Sequence, residues 1–147
     1  MEIIYQTPTI IDAESLILGR MASIIAKRML EGEKIIIVNA EKAVLSGEKK
    51  SRVREAKEFL EVGHPKKGPF HYRRPDRIVR RTVRGMLPYK QPKGKRAYKR
   101  LKVFIGIPDE LKHQKMETLA EAHAEKLKCP YFALGKLAKE IGWNPGE

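Results

Sequence analysis

Apolar positions change their period several times along the chain, and each change marks an element. Thr9-Ile10-Ile11-Asp12, with two β-branched apolar residues at its centre, reads as a short strand. Between Gly19 and Leu30 the apolar residues Met21, Ile24, Ile25 and Met29 recur near i, i+3, i+4 and i+8, which is one face of a helix. Glu31-Gly32-Glu33 ends that helix, with Gly32 as a left-handed cap. Ile35-Ile36-Ile37-Val38 is a continuous β-branched run, the pattern of a strand buried on both faces. Strand, helix and buried strand make a βαβ unit, for which a right-handed crossover is expected.

Residues 49–62 predict a second helix with a basic start, Lys49-Lys50-Ser51-Arg52, and with Val53, Ala56, Phe59 and Leu60 inward. Residues 63–74 are a loop rich in Gly, Pro, Lys and aromatic residues. Pro75 suits a first helical turn and Asp76 suits the positive helix end, so 75–87 predicts a third helix. A second Pro/Gly/Lys loop covers 88–95, and a short basic helix is expected over 95–101. Val103-Phe104-Ile105-Gly106 predicts a third core strand, stopped by Pro108. Beyond it, helices are expected over 112–127 and 133–141, then a tail over 142–146. No internal repeat is visible. The expected class is α/β: one three-layer domain with a small, mainly parallel sheet flanked by helices. Its core spans 9–107, with a basic segment 49–102 inserted, and 108–147 forms a helical C-terminal region.

Composition changes this picture through charge. The chain has 147 residues, 41% of them hydrophobic, ordinary values for a folded domain. Its net charge is +13. Residues 49–102 hold twenty Lys or Arg against four acids, a net +16, while the other 93 residues hold eleven bases and fourteen acids, a net −3. A surface charged only for solubility would mix its signs. Such a block opposes compaction unless a polyanion meets it.

Other classes are excluded more simply. Cys129 is the single cysteine, so it forms no internal disulfide, and a small, partly buried apolar role is expected for it. The four histidines have no metal-ligand spacing, and neither a metal nor a cofactor is expected. No apolar run approaches the roughly 18 residues of a membrane span. Residues 1–5 lack the basic start and apolar stretch of a signal peptide. A cytoplasmic, reduced setting is expected. Scarce Asn and Gln beside abundant Lys, Arg and Glu is a composition found in thermophilic proteins.

The third helix carries the functional argument. Arg77, Arg80, Arg81 and Arg84 are spaced i, i+3, i+4, i+7 and form one stripe. Val79, Val83 and Met86 are spaced i, i+4, i+7 on another side, which Ile78 and Leu87 widen. Four like charges on one face repel by a few tenths of a kcal/mol per near pair, about 0.2–0.5. A merely solvated helix would place Glu among them. Arg, with its planar two-pronged fork, suits phosphate. Phe70, Tyr72, Tyr89 and Tyr98 lie among the cations and could stack on unpaired bases or pack on the protein. Lys66, Lys67, His71, Arg73 and Arg74 in the first loop join the candidate RNA-binding set. So do Lys49, Lys50 and Arg52 upstream, and Lys90, Lys93, Lys95, Arg96, Lys99 and Arg100 downstream. Gly19 is expected to shape a tight turn, with Arg20 beside it touching RNA or a nearby acid. No helix-turn-helix or zinc finger is present, which favours RNA over duplex DNA.

Val83-Arg84-Gly85-Met86-Leu87-Pro88, then Gly94-Lys95, then Leu101-Lys102-Val103-Phe104-Ile105-Gly106 resembles the signature of the universal L-thirteen family of large-subunit ribosomal proteins. Ile11-Asp12-Ala13 with Leu18-Gly19-Arg20-Met21-Ala22-Ser23, and Val38-Asn39-Ala40-Glu41-Lys42 with Ser46-Gly47, resemble that family's opening βα region. His71-Tyr72-Arg73-Arg74-Pro75-Asp76 is similar to its archaeal and eukaryotic branch. The resemblance implies a compact α/β domain that binds large-subunit ribosomal RNA, supports subunit assembly and stability, and touches neighbouring ribosomal proteins. It implies no catalysis, no small-molecule substrate and no homo-oligomer.

Two rival readings follow from the same residues. A translational regulator that binds messenger RNA outside the ribosome would use the same basic surface. A small nucleotide-dependent RNA-modifying enzyme would need a phosphate loop. Gly19-Arg20 lacks the further glycines of a dinucleotide fingerprint, and Ser46-Gly47-Glu48-Lys49-Lys50-Ser51 lacks the first glycine of a P-loop.

Overall fold

The computed structural model describes residues 7–145, so the segment read above for a signal peptide and the last residue of the 142–146 tail lie outside the described residues. In chain order the elements are β1 (Thr9–Asp12), α1 (Leu18–Leu30), β2 (Ile35–Val38), β3 (Val44–Ser46), α2 (Lys49–Glu61), α3 (Pro75–Gly85), α4 (Pro92–Lys99), β4 (Leu101–Val103), β5 (Tyr131–Ala133) and α5 (Leu134–Glu140). The α/β class expected from the sequence is the class observed. Strand β2 lies at the centre of a parallel sheet of order β1-β2-β4, and β3 pairs antiparallel with β5.

Register explains the core. Ile10 faces Ile36 and Ile36 faces Lys102 across the ladder, so these three share one face of the sheet. Ile11, Ile35, Ile37, Leu101 and Val103 share the other, in one buried cluster with Met21, Ile25 and Met29 of α1 and Val79 and Val83 of α3. Burying an Ile or Met side chain stabilises the fold by about 1.5–3 kcal/mol relative to exposure. The opposite face is covered less: Ile10 is buried, Ile36 half-buried and Lys102 exposed.

Helix α1 stops where the sequence said it would. Gly32 has φ +105°, its N–H donates to the Met29 carbonyl at 3.0 Å, and the Glu33 N–H donates to the Arg28 carbonyl at 3.2 Å. This double return closes the helix and needs the left-handed residue at its centre. It also delivers the Glu33 carboxylate to Arg28 and to the Thr9 hydroxyl, both at 2.5 Å. The Arg28 hydrogen bond, helped by that of Thr9 and opposed by burial, holds the Glu33 carboxyl below its usual range. At the other end of the sheet, Asn39 takes a left-handed φ of 56° and donates from Nδ2 to Asp12 at 2.9 Å. The Gly106 N–H donates to Glu41 at 3.0 Å, tying β4's continuation to the same corner.

Several expectations are corrected. Residues 112–127 are not a helix. They run as extended chain with 3₁₀ turns at Ala120–Ala122 and Ala124–Lys126. Their helix-forming composition is outweighed by strand-like bonds: the Glu117 N–H to the Ile10 carbonyl (2.8 Å), Asp12 N–H to Glu117 (2.9 Å) and Ile17 N–H to Ala122 (2.7 Å). The third core strand is Leu101–Val103 rather than 103–106, because Leu101 and Val103 alternate inward around exposed Lys102. The short basic helix starts earlier, at Pro92. Helix α3 ends at Gly85, which leaves Met86 exposed while Leu87 stays buried. Gly19 is the second residue of α1 and makes no tight turn. Cys129 is exposed.

Candidate nucleic-acid interface

Helix α3 is built from its first residue. Pro75 has no N–H to leave unsatisfied, is buried, and follows extended Arg74. Asp76 sits in the first turn near the positive helix end, with Arg74 Nε 3.4 Å from its Oδ1. Val79 and Val83 drop into the core, which turns the arginines outward. The stripe then divides. Arg77 and Arg81 are exposed, and Arg80 and Arg84 are half-buried. Among the described residues no carboxylate forms an ion pair with any of the four.

The half-buried pair lies against tyrosines. The Arg80 guanidinium sits over the Tyr98 ring at 5.0 Å, and that of Arg84 over the Tyr89 ring at 5.2 Å. The two rings meet edge to face, centroids 5.6 Å apart. Gly94 makes this approach possible, since a Cβ there would lie 1.9 Å from the Pro88 carbonyl oxygen. Ala97 is buried and Tyr98 packs against the core, so Lys90, Lys93, Lys95, Arg96 and Lys99 are all presented to solvent around them. Arg100 departs from this pattern. Its Nη1 donates to the Met29 carbonyl at 2.8 Å, capping the negative end of α1.

Helix α2 and the loop after it are arranged differently. No residue of α2 is buried, and Val53 and Ala56 only rest against the core. Phe59, expected to face inward, is 62% exposed and meets His71 edge-on at 5.0 Å. Beneath the helix a cavity of about 470 Å³ opens between Ala56 and Leu60 of α2, Ile78 and Arg81 of α3, and Leu134 and Leu137 of α5. At the start of α2, Lys49 lies 3.4 Å from Glu140 and Arg52 Nε donates to the Ser46 carbonyl at 3.0 Å, while Lys50 is exposed. In the loop, Lys66, Lys67, Phe70 and Tyr72 are exposed, and Phe70 is 74% so. Arg73 packs against Gly142, whose Cβ position lies 3.2 Å from its Nη1.

The structure therefore brings together the α3 stripe, α4 and the turn between them. It leaves Arg20 exposed on α1 with no acid partner among the described residues. Sequence reasoning missed Lys102, an exposed cation on the thinly covered sheet face, which the alternation Leu101-Lys102-Val103 signals. Among the described residues no helix is long and apolar enough to cross a membrane, and no group of three His, Cys, Asp or Glu could hold a metal.

Comparison with known proteins meets this geometry. The profile of the family described as ribosomal protein L13 matches residues 6–110. A protein of Methanopyrus kandleri named large ribosomal subunit protein uL13 is 46% identical over 142 residues, which is 94% of this chain and 89% of its own. Its namesake from Methanosarcina barkeri is 48% identical, over 91% of this chain and 97% of its own. The one from Archaeoglobus fulgidus is 46% identical, over 92% and 88%. Among the motif residues, Asp12, Asn39 and Gly106 tie together one end of the parallel sheet, and Gly94 seats α4. The chain belongs to the ribosomal protein L13 family.

Proposed function

We propose that this protein is a structural constituent of the large ribosomal subunit. It binds large-subunit ribosomal RNA with the α3–α4 surface, supports subunit assembly and stability, and lies beside other large-subunit proteins in the cytoplasm. One observation carries the reading. Four arginines share a helix side, no carboxylate among the described residues neutralises them, and the valines behind them lock that helix into the core. Charge left unpaired at a fixed place in the fold is what a phosphate backbone requires. Arg77, Arg81, Lys93, Lys95 and Arg96 are free to reach phosphates, and Phe70 and Tyr72 to stack on unpaired bases. Arg100 gives one donor, Nη1, to the Met29 carbonyl at the end of α1. Glu117 of the C-terminal segment bonds the edge of β1 at Ile10 and Asp12, which supports one folding unit over residues 7–145. The names of the relatives support the subunit.

Crosslinking and mass mapping on salt-washed large subunits tests this reading. The protein is expected to remain with the subunit, with RNA crosslinks on α3, α4 and the 63–74 loop. A protein that washes away and sediments with messenger RNA would be a translational regulator instead.

A further inference from the structure

We infer that Tyr98 and Tyr89 are positioning residues that fix the guanidinium groups of Arg80 and Arg84, and so set the preference of the α3 surface for folded RNA over flexible polyanions. The inference rests on the RNA-binding reading above. Four side chains form one continuous stack: Arg80 over Tyr98, Tyr98 edge to face with Tyr89, and Tyr89 under Arg84. The stack joins α3 to α4 and to the turn between them. Both tyrosines are anchored from below. Tyr98 packs on the buried cluster, and the contact of Gly94 with Pro88 fixes the backbone that carries Tyr89.

The consequence is order. An arginine on an open helix face carries large rotamer freedom, which binding must remove. Arg77 and Arg81 are of that kind: both are exposed, and among the described residues neither lies over an aromatic ring. Arg80 is not. Its Nε is shielded from solvent and has no hydrogen-bond partner, so the Nη groups are the donors left to offer. A fork held in one orientation matches one spacing of phosphates. Folded RNA presents such a spacing, whereas a flexible polyanion adapts to any arrangement of cations and gains nothing from order. One face of each of these two rings is already taken by an arginine. Phe70 and Tyr72 are exposed, and among the described residues no arginine lies over either ring.

The test uses Tyr89→Leu, Tyr98→Leu and Tyr98→Phe in the full chain. One readout is side-chain ¹⁵N relaxation of the arginine Nε groups in the free protein. The other is the ratio of affinities for full-length large-subunit ribosomal RNA and for heparin. The Leu variants are expected to give Arg84 or Arg80 the mobility of Arg77. They should lose about three- to tenfold in affinity for the RNA, the scale of one cation–π contact, with heparin binding unchanged. Tyr98→Phe should match the parent, because the ring face and not the hydroxyl holds the guanidinium. If Tyr98→Leu fails to fold, Tyr89→Leu decides the matter through Arg84, since Tyr89 is 41% exposed. A folded Leu variant with unchanged arginine mobility, or with equal losses on RNA and heparin, overturns the inference. A parent protein that binds no ribosomal RNA removes the reading beneath it, and relaxation then decides the stack alone.

Discussion

Helices α2 and α3 look alike in one dimension and behave differently in three. Both are basic and both carry apolar residues at helical spacing. In α2, five bases are interleaved with Glu55, Glu58 and Glu61, and no residue is buried. In α3, four arginines stand against Asp76 alone, and Pro75, Val79 and Val83 are buried. The difference teaches how to read a basic segment. Positive charge marks a binding surface when a buried face fixes its position and no acid relieves it. In α2 the charge is partly neutralised, and the helix stands over a cavity instead of filling it.

The largest effect should come from the buried faces. Val79→Asp places a charge in the core and should cost about 3 kcal/mol or more in urea unfolding. Ala56→Asp, beside the open cavity, should cost less than about 1 kcal/mol because its carboxylate keeps its water. Equal losses would erase the distinction between the two helices.

Binding should separate them next. Changing Arg77, Arg80, Arg81 and Arg84 together to Glu should weaken ribosomal RNA binding about 100-fold or more at about 0.1 M salt, with the circular dichroism spectrum preserved. The matching change of Lys49, Lys50, Arg54 and Lys57 on α2 should weaken it by about tenfold or less. A larger loss from α2 would move the interface to that helix.

Much of this contrast was legible in the sequence, and the rest was not for identifiable reasons. The bounds of β2 follow from an uninterrupted β-branched run, Ile35–Val38. Helix α3 followed from Pro75 and from two stripes that both repeat at helical spacing. Helical periodicity shows which residues share a face but not what lies opposite, so it predicts Phe59 inward although the body leaves that face open. Residues 112–127 are rich in helix formers, and backbone partners about a hundred positions earlier, among them Ile10, Asp12, Ser15 and Ile17, hold them extended. The sequence leaves Tyr89 and Tyr98 open between stacking on bases and packing on the protein, because their pairing with Arg84 and Arg80 joins elements that sequence spacing does not relate.

A smaller effect distinguishes paired from unpaired arginines. Arg28 is satisfied by Glu33, and Thr9 supports the pair. The Glu33 carboxyl is held below its usual range, so the stability it brings is present above the unfolded value, about 4.3, and is lost as pH falls through the lower folded value. Glu33→Gln should therefore remove about 1 kcal/mol at neutral pH and flatten the acid limb of the stability curve. It should leave RNA affinity alone. A loss of affinity with unchanged stability would reverse the roles assigned to these two kinds of arginine.

The finest test reads one charge at a time. Each phosphate neutralised contributes about −0.7 to −0.9 to the slope of log K against log salt. Arg77 is exposed and unpaired, so Arg77→Gln should make the slope shallower by about one such step while stability stays within about 0.5 kcal/mol. Arg28→Gln should do the opposite, lowering stability with the slope unchanged, because that guanidinium already meets Glu33. Lys49→Gln on α2 should fall between them, since Lys49 is exposed but lies 3.4 Å from Glu140. If all three flatten the slope equally, the protein acts on RNA through its total charge. A graded series would instead show that position within the fold decides which charges are counted.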